Sequence, residues 1–471
     1  MNINSMIFLT AFLPVVFAAD RLCVRNIKAK NVLLLLASLV FYAWGNPAHL
    51  LLLFLSIAVN FCLGIVIDAK RENKKAAKAA LAAGVIINLG MLGYYKYFNA
   101  LLGLLNDISG RQIFEQKGIS LPIGISIFTF GTISYLADIY RGHYRAEKNP
   151  VDMALYVSFF PKISVGPIAR YKDIGPQLKA RTISEEKTIE GIRRFSYGLA
   201  KKVLLANILG TYIDKVYSLG FADVTGTMAW VAAILYPLQI YYDFSGFADM
   251  AVGLGKMFGF DICENFDYPY LSGSIQEFWR RWHISLGSWF RDYLYIPLGG
   301  NRKGKMRTNL NLMIVFLATG LWHGAASGYI VWGVIQGVCL IAERAGLKKI
   351  LEKTKVLKYI YTELVVIFGE VIFRVGNFSY ALRYLKRMVL PWRYTTSAYA
   401  MQELMSNRCM VTALIALLGI GIIQVFVKKC CPAVARLKGG KLDMLYCMCL
   451  VAASMLLLIN GTYNPAIYLN F

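Results

Sequence analysis

The chain has 471 residues, 57% of them hydrophobic and 17% charged, against roughly one-quarter charged in soluble domains. That composition leaves too little polar surface for a soluble globule. A net charge of +24, from 51 Lys and Arg against 27 Asp and Glu, would suit nucleic acid if the bases lined one soluble face. They are gathered instead in short loops between apolar runs, where topology accounts for them, so no nucleic-acid partner is expected.

An apolar run from Met6 to Ala19 opens the chain and ends in a small-residue Val-Phe-Ala-Ala pattern. Met1 to Ser5 carries no Lys or Arg, whereas a secretory leader begins with positive charge. The run is therefore expected to be retained as a helix. Arg21, Arg25, Lys28 and Lys30 follow it, and further clusters lie at Lys70–Lys78 and Lys348–Lys358. By the positive-inside rule these loops face the cytoplasm and its anionic lipid, which places the N-terminus outside.

Runs at Val32–Val66, Leu81–Tyr95, Leu310–Ile341 and Leu442–Asn460 reach or approach the roughly 20 residues that cross a hydrocarbon core. Gly45-Asn46-Pro47 breaks the first of them into a hairpin. The polar Asn106–Gly118 segment falls outside, and Leu121–Tyr140 returns the chain to the basic side. From Asn149 to Lys179 four prolines, glycines and aromatics interrupt an apolar stretch. Such backbone is tolerated at membrane depth only inside protein or along a wet cavity, so Pro150–Pro176 is expected to be re-entrant or interfacial.

An amphipathic segment, Ser184–Lys202, precedes spans near 203–220, 226–245, 309–323, 328–343, 360–376, 409–427 and 442–460. The sum is an all-α polytopic membrane protein with roughly eleven tilted crossings. It reads as one integral domain over 1–471, with its distinctive motifs in 155–335. The nine cysteines show no Cys-x-x-Cys pair and read as small hydrophobes. Cys430 and Cys431, beside Lys428 and Lys429, are a candidate acylation site. No internal repeat is visible, which argues against a rocking transporter.

Two of the four histidines fall between Gln276 and Trp332, and an ionisable side chain in an apolar segment points to function. Gly273–Leu298 reads as one helix with Trp279, Arg280, His283, Leu286, Gly287 and Phe290 on a shared face. Its Arg280, Arg281, Arg291 and Asp292 are incompatible with a lipid-facing span. The loop after it adds Asn301, Arg302, Lys303, Lys305 and Arg307, a cation surface suited to an anionic or phosphorylated donor. His323 should stand roughly 22 Å along the next helix, among Thr319, Gly320, Gly324 and Ser327, whose small size would leave room for a thin substrate. A desolvated imidazole there is neutral and competent as a base. His49 and His143 read as structural, and neither candidate histidine has the i+3 or i+4 ligand partner that a metal site needs. Asp243, Ser245 and Asp249 put polar groups in another apolar run, and a buried carboxylate requires a partner. Arg280 or Arg281 is the expected one.

Several stretches carry a resemblance. They are Tyr241-Tyr-Asp-Phe-Ser-Gly-Phe-Ala-Asp249, Glu277-Phe-Trp-Arg-Arg-Trp-His283, Arg291-Asp-Tyr-Leu-Tyr-Ile-Pro-Leu-Gly-Gly-Asn-Arg302 and Gly320-Leu-Trp-His-Gly-Ala325, with Phe159–Arg170 and Gly198–Asn207. Together they resemble the membrane-bound O-acyltransferase family, and within it the bacterial alginate O-acetyltransferase membrane-subunit type. The teichoic acid D-alanyl branch is a more distant likeness.

The resemblance implies tilted helices around a central funnel, with His323 in the family's key histidine position and His283 as a second. It implies an acyl thioester co-substrate, acetyl-CoA or an acyl-carrier protein, with no bound cofactor. An extracytoplasmic partner of the SGNH-hydrolase type and a polysaccharide acceptor complete the expectation. In that scheme Trp279, Arg280, Arg281, Trp282, Arg291, Asn301, Arg302 and Trp322 serve the donor and Asp243, Ser245 and Asp249 orient the site. His323 acts as general base, while His283 orients a substrate or stabilises the oxyanion. D-Alanyl transfer to teichoic acid and a non-catalytic transporter are the competing readings.

Overall fold

The computed structural model describes residues 1–23, 26–430, 440–461 and 463–465. Arg25, Cys431, the side chains of Lys428 and Lys429 and the tail from Ala466 lie outside the described residues. Among the described residues the secondary structure is helical, with no strand, and the protein is an all-α polytopic membrane protein. Helices stand at the expected spans, except that 409–427 is broken after Gly419 into Asn407–Gly419 and Ile422–Cys430. By length and apolarity alone, four suffice to cross a membrane: His49–Ala69, Lys74–Ser109, Ser327–Leu351 and Lys441–Asn460. Ile125–Tyr140 and Asn407–Gly419 are apolar but shorter. Exposed Leu442, Leu445, Met448, Leu456 and Ile459 on the last long helix are what a lipid-facing helix presents.

The chain divides into two compact units. The first comprises Met1–Phe195 with Ala248–Cys263, and the second Ser196–Phe247 with Glu264 to the last described residues.

In the first unit, side-chain caps start several helices. Asn26 accepts from the amide of Ala29 at 2.7 Å and Asn73 from that of Ala76 at 3.1 Å. Three helices are then pinned through polar side chains, which matter where lipid supplies no hydrophobic drive between helices. Asn60 and Asn88 exchange amide hydrogen bonds of 3.2 and 2.8 Å, and the Thr132 hydroxyl donates to Asn88 at 3.0 Å. The proline-rich stretch is broken as expected, into Pro150–Ser158, Phe160–Ile163 and Tyr171–Lys179. Its stray backbone is satisfied from neighbouring helices, since the Phe160 amide donates to the Ser38 hydroxyl at 3.0 Å.

In the second unit the Gly304–His323 and Ser327–Ala342 helices form the closest pair. A Cβ on Gly320 would stand 2.4 Å from the Tyr329 carbonyl oxygen, and one on Gly333 2.5 Å from that of Phe316. Small residues here let two backbones touch. Gly320, expected from sequence to leave room for a substrate beside His323, serves this helix contact instead. Leu357–Val375 and Phe378–Val389 follow.

Candidate active site

The expected continuous helix across 273–298 is interrupted. Ile275–Arg281 and Ile284–Phe290 are separate short helices, and Trp282 and His283 make the corner between them. The segment around Asn265 causes the break. The Asp267 amide donates to the Arg281 carbonyl, the Ile284 amide to the Asn265 carbonyl, each at 3.0 Å, and the Ser285 amide to Asn265 Oδ1 at 3.0 Å. Backbone groups that would have continued a helix are thus taken from outside it. His283 consequently adopts φ +46°, a left-handed conformation uncommon for a non-glycine residue and concentrated at functional sites. The shared face predicted for Trp279, Arg280 and His283 does not exist.

Asn265 also fixes the imidazole. Its Oδ1 must be the oxygen, because it accepts the Ser285 amide, and it also accepts the Ser285 hydroxyl at 2.9 Å. His283 Nδ1 lies 3.1 Å from the same atom and therefore carries the proton. That leaves the lone pair on Nε2. The ring is buried edge-on against Phe244, 4.6 Å away, outside the spanning helices. Burial pushes its pKa from 6.5 down to about 3, so it is neutral. A neutral ring with Nδ1 committed presents an acceptor at Nε2. Stabilising an oxyanion would require a donor there, so the geometry favours proton acceptance.

His323 is the last residue of its helix. Nineteen rises place it about 28 Å from Gly304, at the end opposite the basic loop. Rings enclose it: Trp322 at 4.5 Å, Phe373 at 4.8 Å, Trp332 at 5.5 Å and Tyr329 at 6.2 Å. Trp322 also lies 6.2 Å from His283. The two histidines thus flank a single indole.

The remaining predicted residues fall into two groups. Trp279 packs on Phe316 and Trp332 and donates its indole N–H to Gln336 at 3.1 Å. Trp282 stacks on Phe278 at 5.6 Å. With Trp322 they join the aromatic wall around the histidines. Arg280, Arg291, Asn301 and Arg302 are exposed; Arg291 pairs with Asp292 and Arg281 with Glu277, each at 2.7 Å. Asp243 and Asp249, together with buried Ser245, lie on the Gly226–Met257 helix.

Neither carboxylate meets Arg280 or Arg281. Asp243 pairs with Lys202, both fully buried, and Asp249 pairs with Arg194 at 2.7 Å. The helix carries each carboxylate to a cation on the preceding segment, one within each unit, so the predicted need for a partner is met by residues that sequence reasoning passed over. Asn265, Trp332 and Phe373 were also missed, and no spacing in the sequence marks them. His49 Nε2 lies 3.1 Å from the Ser120 hydroxyl, and His143 sits 3.3 Å from Asp138.

Residues 143–381 match the model of the membrane-bound O-acyltransferase family. The chain is 43% identical over 419 residues to the probable alginate O-acetylase AlgI of Pseudomonas aeruginosa, covering 88% of this chain and 78% of that protein. It is 36% identical over 426 residues to the peptidoglycan O-acetyltransferase of Helicobacter pylori, covering 82% and 79%. Against the teichoic acid D-alanyltransferase of Bacillus subtilis it is 31% identical over 230 residues, covering 46% and 58%. The matched segment contains His283, His323 and the aromatic wall that joins them, and the chain belongs to the membrane-bound O-acyltransferase family.

Proposed function

We propose that this membrane O-acyltransferase takes an acetyl group from a cytoplasmic thioester and delivers it across the membrane for O-acetylation of an extracytoplasmic polysaccharide. The observation that carries the reading is the arrangement of one helix. Gly304–His323 begins at an exposed basic loop and ends, about 28 Å away, on a buried histidine walled by aromatic rings.

The donor, acetyl-CoA or an acyl-carrier protein, carries phosphate or acidic groups that suit the exposed Asn301, Arg302, Lys303, Lys305 and Arg307. His323 removes the proton from an acceptor hydroxyl as the oxygen attacks the thioester carbonyl. The new ester forms, the C–S bond breaks, and the thiol leaves with a proton. General-base catalysis of this kind contributes roughly 10²–10⁴-fold. His283, with Nε2 free to accept, holds a donor or acceptor proton on the other side of Trp322. An extracytoplasmic SGNH-hydrolase-like partner completes transfer to the polymer, and the N-terminus lies on that outer side. Acetyl is favoured over D-alanyl because the acetylating relatives align over most of the chain and the D-alanyl relative over about half.

Mild alkali applied to envelope polymers from cells with and without the protein tests the reading. Released acetate should fall when the protein is absent while released D-alanine stays constant; the reverse pattern would sink the acetyl assignment.

A further inference from the structure

The Leu357–Val375 span ends in a fixed turn. Gly376 takes φ +70°, a positive value that glycine adopts without steric cost. Its carbonyl accepts the Gly328 amide at 2.6 Å, and the Phe378 amide donates to the Ser327 hydroxyl at 3.1 Å. The chain then forms Phe378–Val389, whose 12 residues extend about 18 Å and cannot cross a hydrocarbon core of about 30 Å. A short helix that starts where a spanning helix stops lies at the membrane boundary.

One face of this helix is committed to the protein. Ala381, Tyr384, Arg387 and Met388 recur at three- and four-residue spacing and are buried. Arg387 donates to the carbonyls of Phe221 and Val224, and the Met388 carbonyl accepts the Trp230 indole N–H at 2.7 Å. The helix is therefore docked, and its other face is held outward.

That other face mixes two kinds of side chain. Tyr380, Leu382 and Val389 are exposed, and Trp392 just beyond them is 68% exposed. Among them stand Arg383, Lys386 and Arg393, exposed as well. We propose that this face, from Tyr380 to Arg393, is a binding surface for anionic phospholipid headgroups. Water alone leaves the apolar side chains unexplained, and hydrocarbon alone leaves the cations. The boundary satisfies both, because basic side chains lay their methylenes along apolar surface and keep their charge among the headgroups. Tryptophan is enriched at the same level. Arg383 covers the Phe221 and Tyr380 rings at 5.1 and 5.3 Å, which fixes its place on the surface.

The sign of the lipid follows from charge. Arg374 to Gln402 contains no acidic residue, and Arg383, Lys386 and Arg393 form no ion pair among the described residues. The basic segment before the same span differs, since it carries its own acids and Lys348 lies 3.9 Å from Glu352. On the orientation proposed above that segment is cytoplasmic, so the positive-inside rule does not call for a second cluster at the far end. An anionic headgroup supplies the countercharge.

The test reads the fluorescence of Trp392, taken as wild type minus Trp392→Phe, for the full chain in nanodiscs of mixed phosphatidylglycerol and phosphatidylcholine, with quenching bromine on one lipid or the other. Phosphatidylglycerol should occupy the site about fivefold in excess of its share of the bilayer, the worth of one base near an anionic surface. The triple variant Arg383→Gln, Lys386→Gln, Arg393→Gln should bring the two lipids to parity while brominated phosphatidylcholine still quenches. Lys353→Gln with Lys355→Gln, at the other end of the span, should leave the preference intact. Raising salt from about 0.05 to about 0.5 M should reduce it by screening, and this arm needs no variant. Parity in the wild type at low salt overturns the proposal. So does a preference unchanged by salt, or by the triple substitution in a protein whose thermal transition matches wild type. Absence of quenching by either lipid also overturns it and assigns the face to water or to an acidic protein partner. Because the assay contains neither donor nor acceptor, its outcome is independent of the acyl-transfer reading.

Discussion

His283 and His323 flank the same tryptophan but are held in different ways. His283 is fixed by a polar hub: Asn265 Oδ1 sets its tautomer while the surrounding backbone bonds set its left-handed φ. His323 is held by the end of a long helix and by rings on several sides. A hydrogen-bonded ring has one committed nitrogen and one orientation. An aromatic enclosure excludes water and strengthens every electrostatic event inside it. On the proposed reading, the proton transfer belongs to His323 and His283 positions a substrate through its accepting Nε2.

The largest expected effect breaks that assignment directly. His323→Ala should lower acyl transfer by about 10²–10⁴-fold while membrane insertion and the thermal transition are retained. His283→Ala should cost less in turnover and show more in donor or acceptor KM. Thiol release from a labelled thioester by the reconstituted protein measures both. If His283→Ala is the more damaging variant in turnover, the roles are exchanged.

The histidines were legible because they are rare and sit in apolar surroundings, a local property of the sequence. The helices were legible for the same reason, since a run such as His49–Ala69 declares itself by length and apolarity. What sequence concealed was every partnership made across the chain. Asp243 needed a cation, and that much followed from the cost of a bare buried charge; that the cation is Lys202, 41 positions earlier, depends on how two helices pack. Gly320 read as space for substrate because small residues serve equally to open a pocket and to close a helix pair, and only the Tyr329 carbonyl 2.4 Å from its missing Cβ decides between them. Asn265 bends a segment that by periodicity alone is one helix.

Asn265 offers the next test of the comparison. Asn265→Leu removes the acceptor shared by His283 and both polar groups of Ser285, leaving buried donors unsatisfied at a cost of about 1–3 kcal/mol. kcat/KM should fall about tenfold, with the effect concentrated in KM. Asn265→Asp, which keeps an oxygen in the same place, should recover most of it. A structural role alone would lower the thermal transition in Leu and Asp variants alike without separating their KM values. Rescue by Asp marks Asn265 as a positioning residue acting through His283.

The smallest effect concerns acid stability and belongs to the buried ring of His283. In the unfolded chain the His283 ring binds a proton near pH 6.5, whereas in the folded protein burial delays this to about 3. Between those values the unfolded state holds the extra proton, so stability falls as pH falls. The contribution is complete above pH 6.5 and is lost progressively toward pH 3. His283→Asn removes the titration and places at φ +46° a residue that tolerates the left-handed region better. Its thermal midpoint should decline less steeply than wild type on acidification through this window. Parallel slopes would mean that the His283 ring gains its proton without penalty in the folded state, and the picture of a dry, neutral, hydrogen-bonded imidazole beside Trp322 would have to be given up.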